Sequence, residues 1–270
     1  MMPIANLGNG SLHYDLTGPS HGHSDGAPLV LLLPQSTGPE GRQALIAGLA
    51  QRHRVITYDQ RGTGKSSAVA GALSMAEQAK DVIGLLDALE LQDANLLSHS
   101  TGCGIGFSLA AHHSQRVRAL VLVSPWMYAD THLTTMQHLR VAAARALDAQ
   151  QYARFNAALL FPPQYRREHE AGFERIAAAA LDHPQDADQI SARLEAILAF
   201  DARELLPAIS CPTLAAVAAD DQLMPTWFAA EAAARIGGAE YVEFEGGGHM
   251  LPETRADELV AGVLAFLARD

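Results

Sequence analysis

Three short segments of this 270-residue sequence hold side chains suited to nucleophilic attack on a carbonyl carbon. In the first, Ser98-His99-Ser100-Thr101-Gly102, a serine stands between an apolar run and a helix-like stretch. A nucleophile raised on a sharp strand-to-helix turn needs small residues two positions to either side, because the strained backbone leaves no room for larger ones. Ser98 and Gly102 meet that need, with serine where glycine is more usual. At a helix N-terminus the Thr101 amide also points outward, where it can donate to a developing oxyanion. A second donor is expected from the loop Pro34-Gln35-Ser36-Thr37-Gly38, by position the Ser36 amide. The side chains of Gln35 and Ser36 are candidates for a further donor or for substrate contact, with a purely conformational role as the alternative.

The second segment is Ala219-Asp220-Asp221-Gln222, directly after the apolar run Thr213–Ala218. A carboxylate at a strand end faces the crevice in which open α/β sheets bind ligands. Asp221 is the first choice and Asp220 the alternative. The third is Gly246-Gly247-Gly248-His249-Met250, where glycines let the chain turn sharply and bring an imidazole back over the sheet. Serine, then acid, then histidine is the chain order that goes with a nucleophile on a strand–turn–helix elbow. The chemistry expected is general-base activation of Ser100 by His249, with Asp221 holding the imidazole in the right tautomer, followed by hydrolysis of an acyl-enzyme.

Elements with a regular rhythm must position these groups. Ser11–Leu16, Leu29–Leu33, Arg54–Tyr58, Asn95–Ser98 and Ala119–Val123 read as strands, alternating with helical stretches Gln43–Gln51, Met75–Leu89 and Thr101–Ser114. The apolar runs are continuous, as in strands covered on both faces, and the alternation implies right-handed βαβ crossovers and a mostly parallel sheet. From Trp126 to about Leu206 only helical stretches appear, such as Met136–Asp148, Tyr152–Leu160 and Ile190–Phe200, broken by Pro162, Pro163 and Pro184. Strands resume at Thr213–Ala218 and Glu240–Glu245, with helices at Thr226–Ile236 and Arg255–Ala268. Residues 1–125 and 207–270 are therefore expected to form one core, and 126–206 a helical lid over the strands' carboxyl ends. Gln35, Trp126, Met127, Trp227 and Met250 are candidate substrate contacts; Tyr128, Met136, Phe155 and Phe161 are further candidates for an apolar pocket or for lid core. The eight arginines of the lid region are read mainly as solvated on helix faces, with a carboxylate substrate as the alternative.

A formal charge of -11 argues against nucleic-acid binding and against an anionic membrane surface. No secretory signal is visible and the apolar runs are short, so a cytoplasmic enzyme with a small-molecule substrate, monomeric or homodimeric, is expected. Cys103 and Cys211 lack metal-ligand spacing, and His21 and His23 sit in a Gly/Ser/Pro-rich loop; neither a metal nor an organic cofactor is expected. His99 is read as packed inside, and Cys103 as filling a small-residue slot.

On the three segments above, the chain resembles the α/β-hydrolases over almost its whole length. That resemblance implies an α/β fold with a mostly parallel eight-stranded sheet flanked by helices, a helical lid insertion, and a serine hydrolase without cofactor. The turn Asp59-Gln60-Arg61-Gly62-Thr63-Gly64-Lys65-Ser66 is similar to the family's turn after its fourth strand and is read as structural. Among subfamilies the chain most resembles the aminoacrylate hydrolases of pyrimidine degradation and the enol-lactonases. That likeness rests on the turn beginning at Tyr58, on Trp126, on Leu160-Phe161-Pro162, and on the stretches 194–201 and 221–225. It implies an ester, enol-lactone, amide or enamine-like substrate. Two departures stand out. Pro34-Gln35 replaces the family's usual His-Gly, and the elbow with Leu33-Pro34 is similar to the cofactor-free dioxygenases of this fold, which act on heteroaromatic substrates. In those the acid follows the sixth strand, where Ser124 stands here, so Asp221 favours hydrolysis. A ligand receptor without turnover is the remaining alternative.

Overall fold

The structure, a computed structural model, describes residues 3–19, 27–34, 37–69 and 73–269. Eight strands form one sheet: β1 (Ile4–Asn6), β2 (Ser11–Thr17), β3 (Leu29–Leu32), β4 (Val55–Tyr58), β5 (Ala94–His99), β6 (Val117–Val123), β7 (Thr213–Ala218) and β8 (Glu240–Phe244). Their order is β1-β2-β4-β3-β5-β6-β7-β8, antiparallel at β1-β2 and β2-β4 and parallel from β4 onward. The central strands are apolar throughout because both faces are covered. Val30 and Leu32 of β3 and Leu96 of β5 face one core, shared with α2 (Met75–Ala88) and α3 (Gly102–His112). Their neighbours Leu29, Leu31 and Leu97 face a second core, shared with α1 (Gln43–Leu49) and α11 (Ala256–Leu267). β1 escaped the sequence reading because it is three residues long and buries only Ala5, too little for a period-two pattern.

Between β6 and β7 lie α4 (Thr131–Ala146), α5 (Ala149–Leu160), α6 (Pro163–Glu168), α7 (Glu170–Ala179) and α8 (Ala187–Leu198). Asp130, Asp148 and Asp186 start α4, α5 and α8, their carboxylates accepting from backbone amides two or three residues on. Pro162 and Pro163 end α5 as expected. Pro163 also opens α6, a correction to its reading as a breaker alone: at a first helical position the missing N–H has no partner to lose. After β7 come α9 (Thr226–Arg235) and, after β8, the short α10 (Leu251–Thr254). Among the described residues no helix is long and apolar enough to cross a membrane.

Candidate active site

Ser100 sits between β5 and α3 with φ +54°, a left-handed conformation costly for a residue with a Cβ. Its amide donates to the Val123 carbonyl at 3.0 Å, and its own carbonyl accepts from the Cys103 amide at 2.9 Å, so the tight turn is held from both sides. The small-residue rule has a concrete cause at Gly102, where an added Cβ would stand 1.8 Å from the Leu32 carbonyl oxygen. At the other flank, Ser98 Oγ would meet a Cβ at position 106 within 2.4 Å. Serine in the usual glycine position is thus accommodated by a glycine on α3.

The imidazole of His249 links the two other groups. Its Nε2 lies 2.8 Å from Ser100 Oγ and its Nδ1 lies 2.9 Å from Asp221 Oδ2, with all three residues buried. Asp221 Oδ1 accepts from the Leu223 and Met224 amides at 2.9 and 2.8 Å, which aims the other oxygen at the imidazole. Asp220, the alternative acid, instead accepts from the Gly248 amide at 2.8 Å and braces the turn before His249. Gly248 has φ +63°, and a Cβ there would stand 2.9 Å from the Leu160 carbonyl oxygen. Behind this chain, His99 Nε2 donates to the His249 carbonyl at 2.9 Å. Burial first, then the neighbouring His249, pushes the His99 pKa well below the ordinary imidazole range, so its ring is neutral with the proton on Nε2. Cys103 is enclosed, its thiol pushed up by burial, and its Sγ donates weakly to the Ser98 carbonyl.

Thr101 is the N-cap of α3, and its amide has no acceptor among the described residues. Gln35 and Ser36, the other expected oxyanion-loop candidates, lie outside the described residues, as do His21 and His23. Both ends of that loop are anchored. The Arg42 guanidinium donates to the Pro34 carbonyl. Buried Glu253, four residues after His249, accepts from the Gly38 amide at 2.8 Å and the Glu40 amide at 3.0 Å. Burial raises the Glu253 pKa, with the backbone donors pulling the other way.

A cavity of about 690 Å³ opens on Ser100, Thr101, His249 and Met250. Of the expected substrate contacts within the described residues, only Met250 lines it. Trp126 is wholly buried and packs edge-on to Phe200 at 5.3 Å, outside the cavity wall. Met127 is likewise buried away from it, its carbonyl accepting from the Ala202 amide. Trp227 is 47% exposed, and its indole donates to Asp130. These three are corrections: the segment after β6 pairs with the chain returning to β7, so Trp126 and Met127 become core, while Trp227, on α9, stands at the surface. The wall is built instead by Gln60, Arg61 and Thr63 and by Arg140, Tyr152, Asn156 and Arg193 of α4, α5 and α8. The turn holding Arg61 thus also lines the cavity, and Arg61 Nε pairs with buried Asp81 at 2.7 Å. A sequence signal for Arg140 existed. Leu133, Gln137 and Ala144 are the buried stripe of α4, so Gln137 and Arg140 are polar residues at core spacing.

The sheet order, the strained serine on its elbow and the hydrogen-bonded imidazole define a class. A family model described as "alpha/beta hydrolase fold" matches residues 28–256. The chain belongs to that family and is a hydrolase. It is 34% identical over 265 residues, covering 98% of both chains, to RutD of Azorhizobium caulinodans, a protein named as a carbamate hydrolase. Its namesake in Variovorax paradoxus is 34% identical, covering 96% of both chains. Among solved structures it is similar to the enol-lactonase of Burkholderia xenovorans LB400, with TM-score 0.83 and 27% identity over 98% of this chain and 100% of that one.

Proposed function

We propose that the chain is a cofactor-free serine hydrolase that cleaves a small acyl compound through an acyl-enzyme on Ser100. The observation that carries this reading is the unbroken hydrogen-bonded chain from Ser100 Oγ through His249 to Asp221 Oδ2, with Ser100 and His249 lining the cavity. His249 Nε2 takes the hydroxyl proton as Oγ bonds to the substrate carbonyl carbon. The carbonyl oxygen becomes an oxyanion that accepts from the Thr101 amide and from a second amide in the loop after β3, where Ser36 is the candidate. As the tetrahedral intermediate collapses, the carbon–heteroatom bond breaks and His249 passes the proton to the leaving group. Water then attacks the acyl-enzyme, giving a proton to His249; as this second tetrahedral intermediate collapses, the carbon–Oγ bond breaks, His249 returns the proton to Ser100 Oγ and the acid is released. Asp221 keeps the imidazole proton on Nδ1 and stabilises the cation formed in each half-reaction. Helices α4–α8 (residues 126–206 with their flanks) act as the lid, excluding water and selecting substrate.

The names of the relatives support a carbamate, a lactone or a similar small ester or amide-like metabolite as substrate. The acid after β7 rather than β6, where Ser124 stands, supports hydrolysis over cofactor-free oxygenation. Ser100→Ala tests the reading. Turnover of a p-nitrophenyl ester is expected to disappear while circular dichroism and the melting temperature stay near wild type; retained turnover rejects Ser100 as nucleophile.

A further inference from the structure

One carboxylate outside the Ser100–His249–Asp221 chain joins three pieces of the site. Glu253 lies on α10, which begins two residues after His249. Its backbone amide donates to the Met250 carbonyl at 2.8 Å, and Thr254 beside it donates through Oγ1 to the Gly247 carbonyl at 2.7 Å. The helix is thereby fastened to the turn that carries His249. The Glu253 side chain reaches the other way, to the loop after β3. Oε2 accepts from the Gly38 amide at 2.8 Å and Oε1 from the Glu40 amide at 3.0 Å, with the Gly41 amide as a further backbone donor. Oε1 also meets the Tyr165 hydroxyl of α6 at 3.4 Å, so the helical insertion shares the joint. Packing around it is tight. A Cβ at Gly38 would stand 2.4 Å from Phe161 Cζ and 2.5 Å from Glu253 Oε1, and one at Gly172 of α7 would stand 2.4 Å from Pro39 Cβ. Phe161 in turn stacks on Tyr165, with ring centroids 5.6 Å apart.

Burying a carboxylate is costly unless several donors meet it, and here the donors come from the segment that leads into the expected oxyanion loop. A neutral amide in its place would satisfy one backbone N–H with its oxygen and oppose another with its NH₂. Resting on the serine-hydrolase reading above, we propose that Glu253 is a positioning residue for the oxyanion, fixing the loop after β3 against the His249 turn and the insertion. It touches no substrate and acts through the Gly38 and Glu40 amides, while the Arg42 guanidinium holds the loop's other end at the Pro34 carbonyl. Donors that stabilise an oxyanion are effective only when held in advance where the charge develops, which is what such a clamp supplies.

Glu253→Gln tests this with two readouts. For a p-nitrophenyl ester, kcat is expected to fall about tenfold or more while KM stays within about threefold of wild type, because the loop's donor acts on the transition state. Affinity for a trifluoromethyl ketone, whose hemiketal with Ser100 carries an oxyanion where the substrate's would form, should fall by a similar factor. Glu258→Gln, at an exposed carboxylate of α11, should leave both unchanged. Gly38→Ala pushes the same loop off Glu253 and supplies a second approach to the joint: it should lower kcat in the same way, and the double variant should lose little more than the worse single one. The second readout needs no turnover. The amides of residues 38–41 should exchange with deuterium faster in Glu253→Gln than in the wild type. Faster exchange with kcat and ketone affinity unchanged would mean a structural tie only and would overturn the proposal; so would unchanged exchange, or a loss carried by KM. If Ser100→Ala keeps wild-type turnover, the hydrolytic reading fails by itself, and the exchange measurement still decides whether Glu253 holds the loop.

Discussion

Changing Asp221 to asparagine tests how the site's acid works, because its two oxygens have different duties. Oδ1 is committed to two backbone donors, the Leu223 and Met224 amides, while Oδ2 faces His249 Nδ1 at 2.9 Å. An asparagine placed there must keep its oxygen toward the two amides, since its NH₂ would otherwise oppose both. The NH₂ therefore points at His249 Nδ1, which must then accept, so the imidazole proton moves to Nε2. From that position it donates to Ser100 Oγ instead of taking its proton. A misplaced imidazole tautomer costs about 10⁴-fold in turnover, or ~5 kcal/mol of transition-state stabilisation. Little folding stability should be lost, because the buried charge and its desolvation penalty leave together. Asp220→Asn keeps an acceptor for the Gly248 amide on an exposed side chain and should change turnover only a few-fold. The assay is kcat/KM for a p-nitrophenyl ester, with melting curves for both variants. Turnover in Asp221→Asn within tenfold of wild type, or an equal loss in Asp220→Asn, would refute the tautomer argument.

Three further outcomes are expected. Gly102→Ala should fail to form the native elbow, giving insoluble or inactive protein, because its Cβ would meet the Leu32 carbonyl at 1.8 Å; normal solubility and activity would contradict this. Arg61→Met strands a carboxylate on Asp81, whose pKa burial already raises despite the pair, and should cost about 3 kcal/mol or more in urea unfolding, most of it recovered by adding Asp81→Leu. Glu253, with its pKa raised by burial, holds its proton in the folded state over a range where the unfolded chain has lost it. As pH rises through that range above the ordinary carboxyl value, the wild type should lose stability relative to Glu253→Gln; urea midpoints of both proteins measured across it check the sign.

The central sheet was legible because strands buried on both faces appear as continuous apolar runs, and the turns that aim Ser100 and Asp221 lie directly at their ends; His249 follows β8, an exposed edge strand, and was marked by its glycines instead. β1 was not, since one buried alanine carries no pattern. Helices α6 and α7 were unread: α6 buries no residue, and α7 fully buries only Gly172 and Ala177, its stripe of Phe173, Ile176 and Ala177 being short and half-exposed. The cavity wall was least legible. Large side chains such as Trp126 suggested substrate contact from their size, but size alone does not separate core from wall. The polar residues at core spacing in α4, Gln137 and Arg140, were the better signal.

The central claim is that Ser100 is the group that bonds to substrate. Incubating the protein with a fluorophosphonate probe and mapping the modified peptide by mass spectrometry tests it most directly. The expected adduct is on Ser100, forming at a rate that His249→Ala sharply reduces. An unlabelled Ser100 in folded protein that still hydrolyses esters, or label on another residue, would contradict the account.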